Sequence, residues 1–132
     1  MKHEGGCHCG AVRYEVEGDA VYAAVCHCND CRKASGAPMT VWTAFKENQF
    51  RILQGEAKTR NSSGQSMRSF CPECGTGLWF INEEHLPGLV DVQLATFDDP
   101  LAYPPTINIQ TAERISWMEK AHELPAFERF PG

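Results

Sequence analysis

The chain has 132 residues, 42% hydrophobic and 22% charged, with 12 Lys or Arg against 17 Asp or Glu. That size and balance fit one globular domain over residues 1–132 with a core of its own. A formal net charge of −5 argues against nucleic acid or an anionic membrane as partner, and no apolar run approaches the length of a membrane span.

Residues 1–6 read as a polar, glycine-bearing lead-in. They lack the apolar centre of a signal peptide, so a cytoplasmic location is expected. Over residues 11–17, Val12, Tyr14 and Val16 alternate with Arg13, Glu15 and Glu17, the period of a half-buried strand. Gly18 and Asp19 turn the chain into a second apolar strand, 20–25, which runs into Cys26. Residues 29–34 suit one helical turn capped by Asn29 or Asp30, ended by Ser35, Gly36, Ala37 and Pro38. Further strands are expected over 39–45, 50–53, 57–60, 66–70, 78–81, 89–95 and 106–110, with a hairpin turn at 61–64. Residues 113–120 have weak helical character, and the proline-bearing tail from Glu123 reads as a surface strap. Short strands with scant helix predict an all-β fold.

The seven cysteines fall into three groups: Cys7 and Cys9; Cys26, Cys28 and Cys31; Cys71 and Cys74. An odd count, with two Cys-x-Cys steps too tight for normal bridge geometry, favours metal over disulfides. Cys71-x-x-Cys74 is half of a structural zinc site and needs a partner pair. Cys7 with Cys9, Cys26 with Cys28, or Cys28 with Cys31 could each supply it, and spacing does not choose among them. Three ligands within six residues are nevertheless hard to divide between distant sites. This favours Cys26, Cys28 and Cys31 on one ion, with a fourth position open to water or substrate.

A zinc held by three thiolates carries a formal charge of about −1. Such a site is a weak Lewis acid, better suited to keeping an added thiol deprotonated and nucleophilic. Arg32, directly after the last of the three cysteines, is the expected contact for a substrate anion, with Lys33 beside it. The competing reading closes the second site with His27, His8, Asp30 or a distant histidine, giving a zinc-stabilised binding module without catalysis. His8 and His27 each lie between two cysteines, so their side chains are expected to point away from the metal. Ser35 has no His/Asp partner in view. Trp42, Phe45, Trp79, Phe80 and Trp117 read as core, and Lys58, Arg60 and Arg68 as a solvated hairpin face.

Gly6-Cys7-His8-Cys9-Gly10, Cys26-His27-Cys28-x-x-Cys31-Arg32-Lys33-x-x-Gly36 and Phe70-Cys71-x-x-Cys74-Gly75 follow one another in a specific pattern. Their order and separation resemble the glutathione-dependent formaldehyde-activating enzymes, a family that also includes centromere protein V. The resemblance covers about residues 4–127. It implies an all-β "β-tent" with two zinc ions, a structural one on Cys7, Cys9, Cys71 and Cys74 and a catalytic one on Cys26, Cys28 and Cys31. The implied chemistry is that of a carbon–sulfur lyase, adding the sulfur of glutathione or a similar small thiol to formaldehyde or a related aldehyde.

Overall fold

The computed structural model describes residues 1–132. Ten strands and one short α-helix carry the chain: β1 (Lys2–Gly6), β2 (Arg13–Glu17), β3 (Tyr22–Cys26), α1 (Asn29–Ser35), β4 (Thr40–Lys46), β5 (Phe50–Gln54), β6 (Lys58–Ser63), β7 (Ser66–Phe70), β8 (Gly77–Ile81), β9 (Leu89–Gln93) and β10 (Ile107–Ile109). The fold is all-β, as the short alternating segments predict. One expectation is corrected. The lead-in is a strand, pairing antiparallel with β2 so that Lys2 faces Glu17 and Gly6 faces Arg13. Backbone pairing holds it there, and apolar side chains contribute little, which is why its composition hides it. The stretch expected to have helical character forms 3₁₀ turns at Thr111–Glu113 and Ser116–Glu123. No helix is long and apolar enough to cross a membrane.

The strands form two sheets, one ordered β1-β2-β5 and one ordered β10-β3-β4-β9-β8-β7-β6. Every pairing is antiparallel except that of β10 with β3. Register across the larger sheet sorts its residues into two faces, because directly opposed residues project to the same side. One row runs Ala23, Thr43, Val92, Trp79, Ser69 across β3, β4, β9, β8 and β7. All five are buried. The neighbouring row runs Tyr22, Ala44, Asp91, Phe80, Arg68 and projects the opposite way.

The first face packs against the small sheet. Tyr14 and Val16 of β2 meet Phe45, Leu78, Trp79, Val90 and Val92 in the main core. Tyr14 is its centre, stacked on Phe50 at 5.7 Å and set edge-on to Phe97 at 5.6 Å. Its buried phenol is satisfied by the Thr96 hydroxyl at 2.7 Å. The second face is covered by α1, which packs on β4 and β6, and it carries a separate small cluster of Cys26, Cys31 and Trp42. Buried on both sides, β4 reads as the near-continuous apolar run that such a strand requires.

Gly5 shows how tightly the small sheet closes on this core. A Cβ there would overlap the Tyr14 hydroxyl and meet the Thr96 backbone oxygen at 2.5 Å. Gly5→Ala is therefore expected to lower stability by about 1–3 kcal/mol through overpacking, read as a lower midpoint in denaturant unfolding.

Candidate metal centres

Two tight backbone turns build the first centre. In one, Cys7 N–H bonds Val12 O at 3.1 Å and Gly10 N–H bonds Cys7 O at 3.2 Å. In the other, Cys71 N–H bonds Thr76 O at 3.0 Å and Gly75 N–H bonds Cys71 O at 2.8 Å. Gly10 and Gly75 take φ of 83° and 81°, a conformation open to glycine at little cost, and this curls each loop around its sulfurs. The Sγ atoms of Cys7, Cys9, Cys71 and Cys74 all lie within 4.8 Å of one another. Cys7 to Cys9 is 3.7 Å and Cys9 to Cys71 is 3.8 Å. A tetrahedral zinc with bonds of about 2.3 Å holds its sulfurs about 3.8 Å apart, so this cage has the size that zinc requires. The Val12 N–H donates to Cys7 Sγ at 3.2 Å, and Thr76 draws the Cys74 thiol down to about 5 through its hydroxyl and its backbone. Both favour thiolate, the form that binds metal.

The second centre lies at the end of β3 and the start of α1. Cys26 closes the strand, and Cys28 is the helix N-cap, its Sγ accepting the Cys31 N–H at 3.2 Å. Cys31 sits one turn on, its Sγ 3.8 Å from that of Cys26. The three sulfurs form one group within 4.8 Å, and no fourth Cys, His, Asp or Glu atom belongs to it. Spacing and donor set again fit zinc, here with one position unfilled by protein.

The sulfurs open onto a cavity of about 440 Å³ lined by Tyr22, Trp42, Arg68, Phe80 and Asp91 among others. Arg68 is the cation of this cavity. Its Nη2 lies 3.4 Å from Cys31 Sγ and 2.7 Å from Asp30 Oδ2, its Nε donates to Ser62 Oγ at 2.8 Å, and its guanidinium covers the Phe80 ring at 4.8 Å. The Cys26 and Cys28 sulfurs, and after them Arg68, hold the Cys31 thiol well below its ordinary range. Burial raises Asp30, but Arg68 and Ser62 outweigh it and keep that carboxylate ionised.

Arg32 stands elsewhere. One residue past Cys31 on a helix is about 100° round the axis, so its side chain leaves the sulfur-bearing face. It donates to Asn29 Oδ1 at 3.1 Å and borders a surface pocket with Lys33, Pro38 and Trp117. Arg68, expected on a solvated hairpin face, is the buried guanidinium instead. Its signal lay in the strand register, which composition does not reveal. His27 points away from the sulfurs, Nε2 3.0 Å from Asn108 Oδ1, while His8 is exposed. Ser35 turns back on its own helix, donating to Arg32 O at 3.4 Å, and accepts the Ala37 N–H at 3.1 Å. Trp117 is exposed and not part of the core.

Residues 2–113 match the family model described as glutathione-dependent formaldehyde-activating enzyme. A Halomonas elongata protein provisionally named glutathione-dependent formaldehyde-activating enzyme is 29% identical over 130 residues, covering 90% of this chain and 81% of its own. An uncharacterized lyase of Schizosaccharomyces pombe is 28% identical over 79 residues, 60% of this chain and 57% of its own. A crystal structure of a Rhodobacter sphaeroides protein shares the fold at a TM-score of 0.63 and 23% identity, over 80% of this chain and 98% of that one. The family match spans both cysteine groups, and this chain belongs to the glutathione-dependent formaldehyde-activating enzyme family.

Proposed function

We propose that Cys26, Cys28 and Cys31 hold a catalytic zinc and that the protein joins a small thiol, glutathione first, to formaldehyde or a related aldehyde. In enzyme terms it is a carbon–sulfur lyase of the S-(hydroxymethyl)glutathione synthase kind. One observation carries this reading: three sulfurs without a fourth protein ligand face a cavity large enough for a small-molecule substrate. Cys7, Cys9, Cys71 and Cys74 hold a second, structural zinc. The relatives' names support glutathione and formaldehyde as the substrate pair.

Zinc bound at the open centre would keep the substrate sulfur in its thiolate form at neutral pH. The chain's own groups do the rest. Arg68 offsets the negative charge gathered by three cysteine sulfurs and a fourth from substrate. Its Nη1, which makes no hydrogen bond within the protein, is the contact for a glutathione carboxylate. Trp42 and Phe80, 5.6 Å apart between ring centroids, wall the cavity and limit water around the aldehyde.

The two centres differ in what their loss does. Cys9 and Cys71 are 62 residues apart, so the four-sulfur ion ties the small sheet to the large one. Binding free energy at such a site, on the order of 10 kcal/mol, is folding free energy. Cys74→Ser is expected to give unfolded or insoluble protein, whereas Cys28→Ser is expected to stay folded with one zinc per chain. Metal analysis and calorimetric unfolding of both variants check this. Equal collapse of the two would instead favour two structural sites and a binding module.

Thiol binding is checked with cobalt in place of zinc. Glutathione is expected to change the thiolate charge-transfer band, and Arg68→Lys to weaken that titration about tenfold, the scale of one charge-assisted hydrogen bond. Arg32→Ala, outside the cavity that the sulfurs face, should leave it within about twofold, since a charge with no contact to the ligand contributes little. Unchanged spectra across a panel of small thiols would end the enzyme reading.

A further inference from the structure

Asp91 is a carboxylate in the middle of β9, and it is only 4% exposed. The row of opposed residues that places Arg68 and Phe80 on the cavity face places Asp91 between Phe80 and Ala44, with Tyr22 beyond. Tyr22 donates its phenol hydrogen to Asp91 Oδ2 at 2.7 Å. The other oxygen, Oδ1, is buried and has no hydrogen-bond partner. Buried carboxylate oxygens are nearly always satisfied, so an orphan on a cavity wall marks a place kept for a ligand's donor. Tyr22 and Asp91 both line the cavity onto which Cys26, Cys28 and Cys31 open.

The other ionisable groups around that cavity are committed or solvated. Asp30 on α1 is paired with Arg68 of β7, and Glu84 and His85 on the β8–β9 connection are exposed. Cys31 is a member of the sulfur centre. Tyr22 is pushed above the ordinary phenol range, by burial first and then by Asp91 itself, so it serves as a fixed donor. Among the ionisable groups of that cavity, Asp91 alone offers a buried oxygen without a partner.

We propose that Asp91 carries the proton of the addition reaction, taking it from the incoming thiol on Oδ1 and returning it to the aldehyde oxygen. This rests on the reading of the three-cysteine centre as the thiol's binding place. The step balances without a further reactant. The S–H bond breaks and its proton passes to Oδ1. A sulfur lone pair then forms the carbon–sulfur bond, the carbonyl π pair moves onto oxygen, and that oxygen takes the proton from Oδ1. Asp91 ends as it began, and the product is the S-hydroxymethyl thiol. Tyr22 holds the carboxylate in place through Oδ2 and leaves Oδ1 as the unpartnered acceptor. Burial raises Asp91 to about 6, against the lowering effect of Tyr22 and with a smaller push from Cys31. A proton carrier works best with an affinity near the operating pH.

The test is the pH profile of kcat/KM for glutathione addition to formaldehyde by the zinc-loaded protein. The natural protein is expected to lose kcat/KM as pH falls through about 6, where Asp91 becomes protonated and no longer accepts. Asp91→Asn keeps the side chain's shape but cannot accept, and its addition rate is expected to fall by about 10²–10⁴-fold. The fall of kcat/KM below pH about 6 should vanish in the same variant. Tyr22→Phe removes a bond that lowers Asp91, so its acid limb should move to higher pH, a displacement that loss of packing alone would not give. If Asp91→Asn fails to fold, that displacement decides the matter by itself. An Asp91→Asn protein that binds glutathione and keeps the natural addition rate and acid limb would overturn this proposal alone. Failure of every thiol to change the cobalt band would overturn the reading beneath it, and this proposal with it.

Discussion

Everything in this structure depends on the pairing register of β4 with β9. Thr43 opposite Val92 and Phe45 opposite Val90 place apolar surface toward the small sheet, and Ala44 opposite Asp91 lies on the reverse side. A slip of one residue would exchange the two faces, burying Asp91 in the aromatic core and turning valines into the cavity. The constraint is strong because both faces are covered, one by the β1-β2-β5 sheet and the other by α1. Core and site are therefore alternate residues of the same strands. The free energy that fixes the one also positions the other.

Charge sets the second condition. Cysteine sulfurs prepared for metal, a buried Asp91 and an ionised Asp30 put much negative character around one cavity, and Arg68 is its counterweight. That side chain is 11% exposed, so solvent screens its contacts less than those of a surface arginine. Its planar fork allows one side chain to join Asp30, Ser62 and Cys31 at once, linking α1 to the β6–β7 hairpin. A lysine would bring the same charge without the same three-way tie.

The three-cysteine group was legible in the sequence because its geometry is local, whereas the partners of Cys71 and Cys74, 62 residues away at Cys9, were open on spacing and implied only by the family resemblance. Cys26, Cys28 and Cys31 fall on one strand end and one helical turn, and Cys71-x-x-Cys74 closes its own loop, so spacing alone limits what they can do. The all-β character was legible for the same reason, in the alternation of Val12, Tyr14 and Val16. Arg68 and Asp91 were not. Each sits in a strand whose neighbours could face either way, and only pairing between distant segments turns both toward the sulfurs. Arg32 misled in the opposite sense, since closeness in sequence to a ligand puts a residue on a different side of a helix. β1 escaped notice because it is held by backbone bonds, with charged and glycine residues along it.

The seven-stranded sheet must stop somewhere, and its two margins are built to stop it. On one side β10 is only three residues long. On the other β6 reads Lys-Thr-Arg-Asn-Ser-Ser, mostly exposed, with an irregularity in its register between Asn61 and Ser63. Charged side chains, shortness and a local distortion are the features that make a margin a poor template for a strand from another molecule. The sheet can thus present free backbone groups to water without inviting fibril-like growth, even though its interior strands are strongly apolar. Lys58 and Arg60, which contribute nothing to the core, protect solubility by where they stand.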